Sequence, residues 1–352
     1  VNSATGSDAN AGTVGSPYKT FHKAYTMAAA SGDVINLTGT FDWTAVDETG
    51  DGATSGYTIS KNLTIQGQGA NSTTMQAANA DNIADRRIFT ISYGYTVVIN
   101  NCTIRYGKTI TDGGGIQVDG IATIESCDIS YNRATGASGG GLNCRGKVTL
   151  NNSLVSNNFA NNMGGGVNRD YYSGNGGTPG ASDVLVITNS TVAYNQVLAN
   201  LAYFDGGGVF YRRGAGTITN SVIAYNKVTN ADASTNGIGT GDPSSIVNLK
   251  NNIIANNFRF NCWSGDIGQR QSSSSGSYVD NGLVKIGFIA KITNRLNGNI
   301  TETTVKNIKR FKDNVKEIGS GHECGILFAD KLMFNDGDVI NFYEEEFVAK
   351  TL

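Results

Sequence analysis

A nine-residue unit recurs along this chain at a spacing too short for domains and too regular for loops. Its copies are Ile124-Glu-Ser-Cys-Asp-Ile-Ser-Tyr-Asn132, Leu150-Asn-Asn-Ser-Leu-Val-Ser-Asn-Asn158, Ile187-Thr-Asn-Ser-Thr-Val-Ala-Tyr-Asn195, Ile218-Thr-Asn-Ser-Val-Ile-Ala-Tyr-Asn226 and Leu249-Lys-Asn-Asn-Ile-Ile-Ala-Asn-Asn257. The closing asparagines lie 26, 37, 31 and 31 positions apart, and an earlier copy ending at Gly107 precedes the first by 25. A second marker keeps step: Gly113-Gly-Gly-Ile, Gly139-Gly-Gly-Leu, Gly164-Gly-Gly-Val and Gly206-Gly-Gly-Val, at steps of 26, 25 and 42. Two markers in step describe a coil of constant shape with insertions at one corner. Short β-branched runs between turn residues, without helical spacing, predict a solenoid of strands. A parallel β-helix satisfies this pattern, because each strand pairs with its equivalent about 4.8 Å along the axis.

The residue types suit that geometry. Asn tolerates the left-handed region and hydrogen-bonds backbone, so Asn132, Asn158, Asn195, Asn226 and Asn257 are expected to stack as a ladder. The glycine triplets supply positive φ and room for close backbone approach. Ile124, Leu150, Ile187, Ile218 and Leu249 should form one core column of a solenoid of roughly nine coils. Cys102 and Cys127, 25 apart and in register, read as stacked small core residues, with a disulfide as the alternative. Five cysteines without a CxxC pair argue against a disulfide scaffold and against structural zinc.

The opening differs from the repeats. Ser16–Ala30 reads as a short amphipathic helix before the first strand, and a helix there would cap the open end of the solenoid. With the GGG[ILV] and [YN]N repeats, this opening resembles secreted bacterial right-handed β-helix proteins of the pectate-lyase-like superfamily. It is similar in particular to polymorphic-outer-membrane-protein-like and anchored surface proteins of Bacteroidetes type. The resemblance implies an all-β chain: a cap over 1–33 and a right-handed parallel β-helix over 34–280. It also implies a secreted or cell-surface protein, although no charged and apolar leader stands before Val1.

Composition breaks near residue 282. The last 70 residues hold 10 Lys+Arg and 10 Asp+Glu but only 6 of the 46 glycines, leaving 36 charges for the first 282. A separate small β module is expected from Leu283, with a core of Ile286, Ile289, Val315, Ile318, Ile326, Val339, Ile340 and Phe342. The stretch from Ile308 to Ile326, containing Lys309-Arg310 and Glu323-Cys324-Gly325, followed by Asn335-Asp-Gly-Asp-Val-Ile-Asn-Phe-Tyr-Glu344, is similar to the C-terminal β-barrel of bacterial translation initiation factor 2. The resemblance implies that Lys309, Arg310, Glu323, Cys324 and Gly325 face the formylmethionyl end of an initiator tRNA. Joined to a secreted solenoid, it implies a chimera or fusion.

The chain is poor in acid-base chemistry. Its only histidines are His22 and His322, and polysaccharide hydrolases need converging carboxylates that no motif here supplies. One cluster follows the glycine triplets and is expected to line a single face: Asn143, Arg145, Asn168, Arg169, Asp170, Tyr171, Tyr172, Tyr211, Arg212 and Arg213. Such a strip suits glycan binding, with rings on sugar faces and Arg forks on carboxylates. The leading expectation is therefore a non-enzymatic adhesin or passenger domain with a glycan or cell-surface partner, and the alternative is a polysaccharide lyase. Asp47 and Asp51 have the look of a Ca²⁺ loop without its full spacing; no other metal or cofactor is expected. With 27 Lys+Arg against 29 Asp+Glu there is no basic excess, so no nucleic-acid partner is expected for 1–282. Nothing approaches the ~18 apolar residues of a membrane span.

Overall fold

The computed structural model of the protein describes residues 1–29, 31–50, 55–170, 184–198, 206–212, 214–229, 236–241, 245–259, 267–269, 277–278, 283–293, 300–310, 313–319, 323–330 and 339–343. The chain divides into two compact units, one of Val1–Phe260 with Asp266–Arg270 and one of Asn261–Gly265 with Gln271–Leu352. Among the described residues both are almost wholly β, with one helix, Phe21–Met27.

In the first unit every repeat contributes strands to the same parallel sheets. Ser31–Asn36, Asn62–Gln66, Thr96–Asn100, Ile121–Glu125, Lys147–Asn151, Val184–Thr188, Ala215–Thr219 and Ile246–Lys250 hydrogen-bond in that order. A second eight-stranded sheet runs from Tyr57–Ile59 to Ile267–Gln269, a third from Gly39–Asp42 to Ile253–Ala255, and a six-stranded one from Lys108–Thr109 to Phe258–Arg259. Each sheet therefore has at most eight described strands, against the roughly nine coils expected. The register pairs Ile124 with Leu150, Leu150 with Ile187, Ile187 with Ile218 and Ile218 with Leu249, so the expected core column is present. Its first four members are fully buried, whereas Leu249, on the last strand of its sheet among the described residues, is 37% exposed.

The turns explain why the period tolerates no polar mismatch. Each ladder Asn Oδ1 accepts both the main-chain and the side-chain N–H of the Asn one repeat earlier: Asn158 from Asn132, Asn195 from Asn158, Asn226 from Asn195 and Asn257 from Asn226, at 2.8–3.0 Å. The left-handed conformation falls one position earlier than the sequence suggests, on Tyr131, Asn157, Tyr194, Tyr225 and Asn256, with φ between 55° and 58°. That shift leaves each ladder Asn free to turn its amide inward, while Tyr194 and Tyr225 stack outside with centroids 5.1 Å apart. A parallel ladder runs at the preceding turn, where Cys127 N donates to Ser153 Oγ, Ser153 N to Ser190 Oγ, Ser190 N to Ser221 Oγ and Ser221 N to Asn252 Oδ1. Cys102 and Cys127 begin this column, buried and as free thiols.

The glycine triplets do what their composition suggests. Gly113, Gly139, Gly164 and Gly206 have φ of 58–76°, and a Cβ on the second glycine, as at Gly114 or Gly140, would sit 2.4 Å from backbone of a neighbouring strand.

The helix is shorter than the expected Ser16–Ala30 because hydrogen bonds fix its entry. Asp8 Oδ1 accepts from Lys19 N and Thr20 N, and Thr20 Oγ1 caps the helix by accepting from Lys23 N. The buried Glu48 carboxyl then accepts from Phe21 N, His22 N and the Tyr57 hydroxyl, at 3.0, 2.7 and 2.5 Å. Lys61 Nζ donates to the helix-end carbonyls of Tyr25 and Ala28. Phe21, Trp43, Tyr57 and Phe89 pack around the junction, so Trp43 is core; Trp263 lies outside the described residues.

The second unit is antiparallel. Its sheet order is Ser277–Tyr278, Glu323–Phe328, Ile300–Arg310, Ile289–Thr293 and Val339–Tyr343, with Asp313–Val315 on the end of Ile300–Arg310 and Leu283–Lys285 paired to Glu317–Gly319. Its core differs from the expected set. Ile318 is buried, with Val315 and Ile326 partly so, but Val284, Val305 and Ile308 complete the centre. Val284 lies opposite Ile318, which places Ile286 just past the strand end, 44% exposed beside Gly287 at φ 95°. Ile289 is half-buried, while Ala290 next to it is fully buried. The side chains of Val339, Ile340 and Phe342 lie outside the described residues.

Two outcomes follow. Asn195→Ala orphans two buried donors of Asn158 and the carbonyl of Val155, and should cost ~1–3 kcal/mol in denaturant unfolding. Burial pushes the Glu48 carboxyl above its ordinary range, against the pull of its three donors. The folded state then holds this proton more tightly than the unfolded state. The stability it contributes is complete below the ordinary glutamate pKa and is lost as pH rises through the higher folded value. Glu48→Gln should remove that component from a series of denaturation midpoints against pH.

Candidate functional site

The cluster after the glycine triplets sits on three-residue strands, Leu142–Cys144, Val167–Arg169 and Val209–Tyr211, every residue of which is buried. Strand alternation divides it instead of gathering it on one face. Asn143 and Asn168 occupy one row in register with Gln117, while Cys144, Arg169 and Tyr211 occupy the adjoining row. The single face expected of this cluster is therefore not formed by these strands.

The amide row forms a directed chain. Asn168 Nδ2 donates to Asn143 Oδ1 at 2.6 Å, Asn143 Nδ2 to Gln117 Oε1 at 2.9 Å, and Gln117 Nε2 to Asp119 Oδ1 at 2.7 Å. Arg145 closes it, 2.7 Å from Asp112 and 3.8 Å from Asp119. Arg87 is close enough to the same two aspartates and to Arg145 to feel their charges, and burial depresses its pKa. Arg169 is fully buried, and its Nη1 donates to the carbonyls of Cys144, Arg145 and Asp170. Tyr211 is fully buried beyond it, and burial pushes its phenol well up. Gly216 makes room for that ring, since a Cβ there would stand 2.1 Å from it. Asp170 faces Arg212 at 3.5 Å. Tyr171, Tyr172 and Arg213 lie outside the described residues. The arrangement is a buried polar network bonded largely among its own members, in which Asn168 Oδ1 finds no hydrogen-bond partner among the described residues.

Asp47 of the expected Ca²⁺ loop is ion-paired with Lys19 at 2.5 Å, and Asp51 lies outside the described residues. Among the described residues no three His, Cys, Asp or Glu side chains gather as a metal group, and no helix is long and apolar enough to cross a membrane.

In the second unit the antiparallel partners Ile300–Arg310 and Glu323–Phe328 bring together what the sequence separates. Lys309 stands opposite Gly325, Ile308 opposite Ile326, and Arg310 opposite Asp313. Ile308 is buried, and its neighbours Lys309 and Arg310 are exposed. Glu323 and Cys324 continue the strand, paired with Tyr278 and Ser277; the side chains of Glu323 and Cys324 lie outside the described residues.

No protein-family profile and no solved structure matches the chain. Curated proteins do. Translation initiation factor IF-2 of Ehrlichia ruminantium (strain Gardel) is 46% identical over 70 residues, 20% of this chain and 8% of that protein. The factor of the same name from Ehrlichia chaffeensis is 43% identical over 82 residues, 23% of this chain and 9% of its own, and that of Gluconobacter oxydans 42% over 74, or 21% and 8%. The chain thus spans less than a tenth of the length of these relatives. These matches overturn the expectation of a secreted or cell-surface adhesin. What the chain resembles is a segment of a translation factor, and nothing found supports secretion, a glycan partner or kinship with pectate lyases.

Removing Arg169 takes a donor from the carbonyls of Cys144, Arg145 and Asp170, of which Cys144 keeps the Asp170 N–H, and opens a cavity against Tyr211. Arg169→Ala should lower unfolding stability by ~2–4 kcal/mol in a urea titration, and Arg212→Ala, at a half-exposed pair, by ~0–1 kcal/mol.

Proposed function

We propose that residues 283–352 form a barrel of the initiation-factor kind that binds the aminoacyl end of an initiator tRNA, and that residues 34–280 wind as a right-handed parallel β-helix fused to it. The observation that carries the first reading is the 46% identity to translation initiation factor IF-2 over 70 residues, the length of this tail. The pairing of Lys309 with Gly325 supports it, since residues 16 positions apart in sequence meet on neighbouring strands. Lys309 and Arg310 would contact phosphates, and the strand through Glu323, Cys324 and Gly325 would lie beside the acyl end. The in-register parallel sheets support the second reading.

With ten charges of each sign over the tail, binding should be weak, with a salt dependence limited to its few phosphate contacts. Filter binding of the full chain to formylmethionyl-tRNA and to the same tRNA deacylated tests this. Tighter retention of the acylated form is expected. Lys309→Ala with Arg310→Ala should weaken it several-fold and flatten the slope of log affinity against log salt by ~1 per lost contact. Equal affinity for both tRNAs, or none at low salt, would overturn the proposal.

A further inference from the structure

We propose that Cys102 and Cys127 are a cross-linking pair, closed into a disulfide between neighbouring repeats by exchange with a small-molecule disulfide. The two residues immediately precede paired strands, with Thr103 opposite Asp128 and Ile104 opposite Ile129. Equivalent positions on adjacent strands stand about 4.8 Å apart, inside the 4.4–6.8 Å Cα separation that disulfides use. Their Sγ atoms are 3.6 Å apart, so a modest χ1 rotation of each side chain brings the sulfurs together.

The column itself shows that packing alone does not demand sulfur. In the next three repeats the same position is Ser153, Ser190 and Ser221. Each of these hydroxyls accepts an amide from the previous repeat and donates to the carbonyl two residues back, at 2.7–2.8 Å. Cys127 keeps the second contact, Sγ to the Glu125 carbonyl at 3.3 Å, with a weaker donor. A small hydrogen-bonding side chain suffices there, and in this column the two thiols fall on adjacent rungs. Cys144, also buried, belongs to a different sheet, in the row of Arg169 and Tyr211.

The chemistry balances without a metal. A thiolate of the pair attacks the external disulfide and releases one thiol. The second protein thiolate then attacks the mixed disulfide and releases the other. Two protons and two electrons leave the protein, and the reagent is reduced to two thiols. Both cysteines are almost fully buried, so exchange needs either local opening or the folding reaction itself.

The test has two arms on the full chain: native protein exposed to oxidised glutathione, and reduced, unfolded protein refolded in a glutathione redox buffer. Each is quenched with alkylating agent in denaturant and digested with trypsin, which places the two cysteines in separate peptides, 88–105 and 109–133. The expected result is those peptides linked, two hydrogens lighter than the reduced pair and separated by reductant, with a raised denaturation midpoint. Cys127→Ser, a residue the column already accommodates three times, should fold normally and lose both the link and the rise. Separate alkylation of Cys102 and Cys127 in both arms, or equal linkage of either to Cys144, would overturn the proposal.

Discussion

The first unit depends on one constraint: a turn that recurs in every repeat must satisfy its buried backbone amides from the repeat beside it. In a hairpin the turn faces water. Here Asn132, Asn158, Asn195, Asn226 and Asn257 are almost wholly shielded, and the main-chain N–H of each of the first four donates to a side chain instead of to a strand. The side-chain oxygen of the next Asn supplies the acceptor, and Ser oxygens do the same one turn earlier. The period of the sequence is set by these rungs as firmly as by the apolar column of Ile124 and Leu150. Insertions are tolerated only between rungs, which is why the steps vary while the nine-residue unit does not.

How much of this is legible without coordinates depends on whether a residue's role is fixed by register or by direction. The ladder, the apolar column and the glycine triplets are legible because identical residues recur in step. The left-handed position is not, since Asn is the usual occupant and the ladder Asn stands next to it. The structure gives that backbone to Tyr131, Tyr194 and Tyr225 so that the Asn amide can turn inward. Arg169 and Tyr211 are misread because residue type suggests solvent. Counting alternation from Val167 and Val209 places both inside, and Gly216, where other repeats have Val97, Ala122, Val148 and Leu185, marks the space that the Tyr211 ring fills.

The second unit fails differently. Its kinship is legible as a similarity to a segment of a translation factor, and strand pairing sets Lys309 opposite Gly325. Its core is not, because antiparallel register cannot be read from a single copy. Val284 and Ile286 are equally apolar, and only the pairing of Val284 with Ile318 decides which is buried. The tail has no internal repeat to resolve such a choice, whereas the first unit resolves it several times over.

The asparagine ladder also has a polarity. Every rung passes its two donors in the same chain direction, and each Nδ2 reaches back to a carbonyl of the coil before, as Asn195 does to Val155 and Asn226 to Val192. A lost rung therefore strands hydrogen-bond donors only on the coil preceding it. The coil after it keeps its own amides paired and merely carries a carbonyl oxygen with spare capacity. Damage to this column is one-sided: it loosens the structure toward the N-terminus and leaves the C-terminal neighbour in place, so the fold has an upstream and a downstream although its repeats are nearly alike.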